Sequence, residues 1–454
     1  MHHWSLTGRL ETENAKAPSI LVIGAGMAGL AAARMLHDSG FDVTIIEARD
    51  RIGGRLWTSQ QLGAYTDLGA SWIHGADHNP LSNWCDRLGI ETVITPSDKR
   101  HFAVQNRLVE WEELNNLATA GLASVDQRLQ GKAAPHTIAE LVEPLLQDPT
   151  LPLLDRQLLA WMTGLAEGVQ AGLAEDLDVR WWQPKELTIV NAMPLGGYRR
   201  LVEEVAQGVN VRLNSPVSKI ELLEDGVLVH CGEQSERADY GVITVPVGVL
   251  QAGQIEFSPP LPAAKQAAIQ QIGFGGGVLN KIFIRFPYRF WPDLQDRFIA
   301  LPARVEERGL FANWINTEPL HGQPILLSFS TGANGAQIDR TSSDAEVYAE
   351  AMKSLRRIFG EEIPEAEAYV VTRWLSDPWS RGSYSYARVG VDDVAARAAY
   401  AAPVADRLFF AGEATDPDEF GTVHAALLSG EQAACAVYKL ATGQEADVSH
   451  LPYA

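Results

Sequence analysis

The sequence predicts a chain of mixed α/β and α+β class, organised as two closely joined domains. Three observations carry that expectation. The chain has 454 residues, more than a single hydrophobic core usually serves. Its composition, 46% hydrophobic and 21% charged, is that of a globular protein with a large core and excludes a disordered chain. Near the N-terminus an apolar run, a glycine cluster, a helix-spaced tract and a second apolar run follow in the order of a βαβ unit.

Ile20 to Ile23 reads as a buried parallel strand. Gly24-Ala25-Gly26-Met27-Ala28-Gly29 follows, and then LAAARMLHDSG, whose helical spacing stops at Gly40. Phe41 to Ile46 forms the second strand and ends at Glu47. A GxGxxG pattern is weak alone, but in this strand–glycines–helix–strand–acid order it predicts a dinucleotide site in a Rossmann-like domain. Gly24 permits the tight turn, Gly26 lets backbone approach a pyrophosphate, and Gly29 lets helix and strand pack closely, with Ala28 inside the same turn. The helix N-terminus offers free N–H groups to phosphate. Glu47 is placed to accept from both ribose hydroxyls, which disfavours a 2′-phosphate. Arg49, counted with the cofactor site, follows the acid, and then Gly53-Gly54-Arg55, a second glycine pair with an arginine that adds another phosphate contact, as suits a dinucleotide held permanently.

At this GGR the chain resembles the FAD-containing amine oxidase family, and the resemblance recurs in order along nearly its whole length. DLGASWIHG (67–75), with Ser71 and Trp72, is similar to the family's second flavin-contacting loop. NSPVSKIE (214–221), with Val217, resembles the strand over the adenine, and LNKIFIRF (279–286) the lysine-bearing strand. WLSDPWSRGSYSY (374–386) resembles the aromatic wall at the isoalloxazine, and FFAGEATDPDEFGTVHAALLSG (409–430) the C-terminal flavin motif. The resemblance implies noncovalent FAD and the following site. Glu413 contacts the ribityl–pyrophosphate region. Thr422 and Val423 open a helix aimed at the flavin, Thr422 also facing substrate. Lys281 holds a water at the flavin N5. Trp374, Trp379 and Tyr384 wall the flavin, Tyr384 guiding an amine to N5. His74 and Glu167 face the substrate channel.

The departures matter equally. Ser383 stands where monoamine oxidases carry the cysteine that bonds to flavin, and Thr422 where they carry a second cage tyrosine. The wording SWIHG and TVHAALLSG looks like polyamine oxidases and lysine-specific histone demethylases. No heptad tract of the kind that builds the demethylases' tower occurs, so histone demethylation is not expected. The flavin motifs fall in three blocks, 18–75, 187–275 and 380–442, which imply a Rossmann-like FAD-binding domain assembled from distant pieces. The stretches 76–186 and 276–379 form an interleaved substrate-binding domain of mixed sheet and helices, and residues 1–17 a flexible tail.

The expected reaction is oxidation of a C–N bond of a polyamine of the spermine or spermidine type. Hydride passes to FAD N5, the imine hydrolyses to aldehyde and amine, and O2 becomes H2O2. Another amine, or an L-amino acid, is the alternative substrate; an amino acid needs a cation for its carboxylate, and sequence does not say which arginine points inward. A non-catalytic flavoprotein is the third reading. Lys+Arg number 37 against 57 Asp+Glu, a net charge of −20, which excludes phosphate-driven nucleic-acid binding and suits a cationic amine substrate. No metal is expected, since Cys85, Cys231 and Cys435 have no paired spacing. No signal peptide or membrane-length apolar run is seen, so the expected location is the cytoplasm. The sequence leaves oligomeric state open.

Overall fold

The computed structural model describes Leu6 and residues 17–95, 100–104, 107–130, 136–182, 190–292, 297–449 and 451. The tail expected over 1–17 lies outside the described residues except for Leu6 and Ala17. Leu6 is buried in the core beside the first helix, its N–H donating to Ser39 Oγ at 2.9 Å.

Strand Ser19–Ile23 sits at the centre of a five-stranded sheet, in the order Asn210–Arg212, Asp42–Ile46, Ser19–Ile23, Tyr240–Ile243, Leu408–Phe410. Every pairing in it is parallel. Both faces are covered, which is why SILVI and YGVI are apolar runs without alternation. On one face lie helices Met27–Asp38 and Val423–Thr442, sharing a core that includes Val22, Leu30, Leu427 and Val437. On the other lie helices Ala263–Gln271 and Asp393–Ala401 and a four-stranded sheet containing Lys219–Leu223.

A seven-stranded sheet has the order Ala368–Val371, Leu279–Arg285, Ile325–Thr331, Leu310–Asn316, Arg297–Ala300, Arg100–Val104, Arg107–Glu110. Alternate residues of each strand point to opposite faces. Ile282, Trp314 and Leu326 pack on helix Asp344–Phe359 through Val347, Met352 and Leu355. Leu279, Lys281 and Phe329 line a cavity on the opposite side. Helix Asp344–Phe359 starts at a reciprocal cap between Ser343 and Glu346, as its sequence spacing suggests. The helix-like tract at 111–130 is two helices, Trp111–Leu117 and Thr119–Leu129, parted at Ala118. Behind them runs Leu153–Gln170, whose C-terminal half borders the cavity. Among the described residues no helix is long and apolar enough to cross a membrane.

Candidate functional site

A cavity of about 640 Å³ is walled by both large sheets, within the size of about 300–1,000 Å³ typical of ligand sites. One wall is the glycine turn. Gly24 adopts φ +107°, and a Cβ on Gly29 would lie 2.0 Å from the Gly24 carbonyl oxygen. Any side chain there would push helix from strand. Gly26 lines the cavity, and a Cβ on it would meet nothing within 4 Å. The first-turn N–H groups of helix Met27–Asp38 have no intrahelical acceptor; with open space at Gly26, a phosphate can approach them. Glu47 accepts from Ala25 N at 2.7 Å and Arg49 N at 2.8 Å. Those two bonds leave the rest of the carboxylate's acceptor capacity for ribose hydroxyls. Ala28, Gly54 and Val217 line the same cavity.

Arg49 lines the wall, but its side chain is already taken. Its guanidinium grips Asp377 at 2.7 and 2.9 Å and Ser380 Oγ at 3.1 Å. Through these bonds Arg49 fastens the aromatic segment to the nucleotide loop while keeping its place on the cavity wall. Arg55 donates through Nη1 to Glu413 Oε1 at 2.8 Å and to the Ser383 carbonyl at 3.0 Å. Glu413, buried, also accepts from Ser385 Oγ and Gly421 N, at 2.7 and 2.8 Å. Burial alone would raise its pKa, but Arg55, Ser385 and Arg397 outweigh it and hold the carboxyl below its ordinary value. Glu413 therefore organises this wall from within.

Lys281 reaches the loop at 67–71. Its Nζ donates to Asp67 O at 3.0 Å, Gly69 O at 2.5 Å and Ser71 Oγ at 2.5 Å. Burial drives the lysine well below its ordinary pKa, with Asp67 opposing. The same burial drives Asp67 upward, against the Thr58 hydroxyl and Lys281. Trp72 lies beside the ammonium, its ring centroid 5.4 Å from Nζ. Trp374 donates its indole N–H to Leu68 O at 3.3 Å, and Tyr384 its hydroxyl to Gly168 O at 2.5 Å. Trp379, half-buried, is held by its backbone N–H on Asp377 Oδ1 at 2.8 Å. Thr422 is the N-cap of Val423–Thr442, accepting from Ala425 N at 3.2 Å. Lys281, the three aromatic residues, Ser71, Trp72, Thr422 and Val423 all line the cavity. Ser383 lines it too, its hydroxyl tied to Leu279 N and O at 3.0 Å each; no cysteine does.

His74 lines the cavity and its Nδ1 lies 2.7 Å from Asn191 Oδ1. That oxygen can only accept, so Nδ1 carries the proton and Nε2 keeps its lone pair. Burial, with His424 and Arg297 nearby, lowers the His74 pKa and holds the ring neutral. Glu167 is buried. Gly164, Leu165, Gly168, Val169 and Gln170 of its helix line the cavity, while the Glu167 carboxylate is tied within the protein. It accepts from Ala174 N at 3.1 Å and pairs with Arg308 at 3.4 Å. Burial raises it to about 6, Arg308 opposing.

Sequence reasoning missed Asp67, Asn191, Asn313 and Arg297. Asp67 sat inside a quoted motif without being singled out. Arg297 opens strand Arg297–Ala300 and lines the cavity, yet belongs to no motif, so only strand order could show where it points.

The sequence pattern of flavin containing amine oxidoreductases matches residues 27–438. The chain belongs to that family. Its cofactor is FAD, and the open glycine turn, the spare acceptor sites of Glu47 and the Ser71–Trp72–Lys281 wall fit that group. This amine oxidoreductase is 35% identical over 448 residues to Polyamine oxidase 4 of Oryza sativa subsp. japonica, spanning 94% of this chain and 89% of that protein. It is 33% identical over 444 residues to Lysine-specific histone demethylase 2 of Homo sapiens, spanning 91% of this chain but 52% of that protein. The chain thus covers about half the demethylase's length, and identity alone barely separates the two. Cyclohexylamine oxidase from Brevibacterium oxydans IH-35A superposes with a TM-score of 0.73 at 23% identity, over 94% of this chain and 99% of that one; this likeness shows the fold.

Proposed function

We propose that this amine oxidoreductase binds FAD noncovalently and oxidises a C–N bond of an amine substrate, with O2 as the electron acceptor. The observation that carries the reading is the convergence on one cavity of the glycine turn, Lys281 and the Trp374–Tyr384 wall. A protein that only binds partners has no use for a buried lysine at that point. FAD, when bound, supplies the hydride acceptor and passes the electron pair to O2 as H2O2, while the amine carbon becomes an imine that water hydrolyses.

The chain's own residues orient and exclude. Trp374, Trp379 and Tyr384 offer ring faces to the alkyl part of an amine and tolerate its charge. His74 Nε2 offers a lone pair to a substrate N–H. Lys281, held by the Asp67–Ser71 loop, would be the residue beside the flavin N5 that the resemblance implies. Ser383, with no cysteine on the wall, supports the noncovalent assignment; flavin that stays on the chain after denaturation overturns it. The three-block division into a nucleotide domain and the interleaved substrate domain belongs to the same proposal.

The relatives include polyamine oxidases as well as histone demethylases, and the exposed Asp418 and Glu419 on the cavity wall would attract a second cation if the substrate is a polyamine. The test is anaerobic mixing of the yellow protein with spermine, spermidine, putrescine and a simple monoamine. Bleaching of the flavin band by any of them supports C–N oxidation, and selective bleaching by the longer ones supports the polyamine class. Since the reacting nitrogen must be unprotonated, the reduction rate rises with pH through the bound amine's pKa. A rate flat with pH would count against the reading.

A further inference from the structure

Cations on the cavity wall are answered from within the chain, with one exception among the described residues. Arg49 is paired with Asp377 and Arg55 with Glu413, at 2.7 and 2.8 Å. Lys281 has three acceptors and the Asp67 charge behind it. Arg297 lines the same cavity with no hydrogen bond and no ion pair. Burial, and Arg100 beside it, lower its pKa to about 10. Arg297 is half-buried against the cavity; a partly desolvated guanidinium without a counter-ion is costly, and a fold keeps such a group where a ligand supplies the missing charge.

Its neighbours say what kind of ligand. Arg297 pairs in register with Ile315 on the adjacent strand, so Arg297, Ile315 and Asn313 share the cavity face of the sheet. Asn313 Oδ1 accepts from Trp161 Nε1 at 3.1 Å, which leaves the amide N–H groups to donate. Arg297 and the Asn313 amide N–H groups thus put donors on the cavity face of the sheet. The phosphates of FAD are served elsewhere, at the glycine turn. Strand Arg297–Ala300 lies three strands across the sheet from the Lys281 strand, a backbone separation of about 14 Å. His74, close enough to feel the Arg297 charge, offers its Nε2 lone pair to a substrate amine.

We propose that Arg297, with the Asn313 amide, binds a carboxylate carried by the substrate, so that the preferred amine bears an acid group. The proposal rests on the C–N oxidation reading above, and it disfavours polyamines, whose second cation would meet Arg297. It predicts that carboxylates bind without being oxidised.

The test uses the holoenzyme and its Arg297→Leu and Arg297→Lys variants, with flavin content and Tm as folding controls. Benzoate, which has no amine to oxidise, is titrated by calorimetry. Binding is expected to weaken on the order of 100-fold in Arg297→Leu and less in Arg297→Lys, while Tm holds or rises because an uncompensated charge is gone. Flavin reduction is then compared within pairs: leucine against 3-methylbutylamine, and 6-aminohexanoate against hexylamine. In at least one pair the acid-bearing member should win in kcat/KM by about 100-fold, and Arg297→Leu should erase the difference. Equal benzoate affinity in wild type and Arg297→Leu, or spermidine and the acid-free amines performing as well, overturns the proposal. So does an Arg297→Leu variant that loses Tm while benzoate affinity is unchanged. If no amine bleaches the flavin but benzoate binding still depends on Arg297, the C–N oxidation reading falls and the anion site stands.

Discussion

The two ends of the cavity are built on opposite terms. At the nucleotide end, Glu47 is held by backbone N–H groups and Arg49 and Arg55 by carboxylates. Glu413 accepts from Arg55, Ser385 and Gly421. At the amine end, His74 Nε2 and Arg297 are left for something from outside. The first end is preorganised around backbone and binds one invariant molecule. The second, where the amine is proposed to bind, holds back its donors and acceptors, and selectivity would reside there.

That contrast can be broken most heavily at Glu413. Glu413→Ala leaves the half-buried Arg55 and the donors of Ser385 and Gly421 without their acceptor and should cost about 3–5 kcal/mol of stability, read by urea unfolding of the holoenzyme; a loss under ~1 kcal/mol would show that the network is dispensable. Gly29→Ala forces a methyl against the Gly24 carbonyl and should cost about 3 kcal/mol together with the yellow colour. A variant that purifies with full flavin would mean the turn can open. Lys281→Met should slow flavin reduction or reoxidation on the order of 100-fold in stopped-flow traces, and unchanged rates in both half-reactions would remove it from the chemistry.

Glu167→Gln gives the smallest effect and sharpens the comparison most. With the carboxylate tied within the protein, KM for any amine should stay within about twofold; a selective rise for polyamines would return it to the channel. Its pKa is raised from 4.5 to about 6, so the folded state binds the extra proton. Stability from this group is therefore fully present below pH 4.5 and declines as pH climbs toward 6, by about 2 kcal/mol. In Glu167→Gln that decline should vanish from the pH dependence of unfolding.

The same contrast explains what the sequence revealed. The glycine turn, Glu47, the Lys281 strand and the helix at Thr422 were legible because each is a local pattern whose spacing is set by backbone geometry. Arg49 lines the cavity, but its pairing with Asp377, 328 residues away, shows in no local pattern. The ties of Glu167 to Ala174 N and Arg308 were not legible, because they are set by packing and not by a local pattern. Arg297 stayed hidden for a related reason. Its meaning comes from the register of Arg297–Ala300 against Leu310–Asn316, a pairing that no single stretch of sequence displays.

The Arg55–Glu413 contact joins residues 358 positions apart. At the usual pace of about 5–20 residues per second, a ribosome needs roughly 20–70 s to travel between them. Throughout that interval the first strand, the glycine turn and Arg55 are already made, while strand Leu408–Phe410 and helix Val423–Thr442 do not yet exist. The flavin cradle is thus a late event in the life of the chain. Synthesis through helix Val423–Thr442 must precede completion of the cradle, and a nascent chain stopped near residue 405 should emerge colourless however long it is left with FAD.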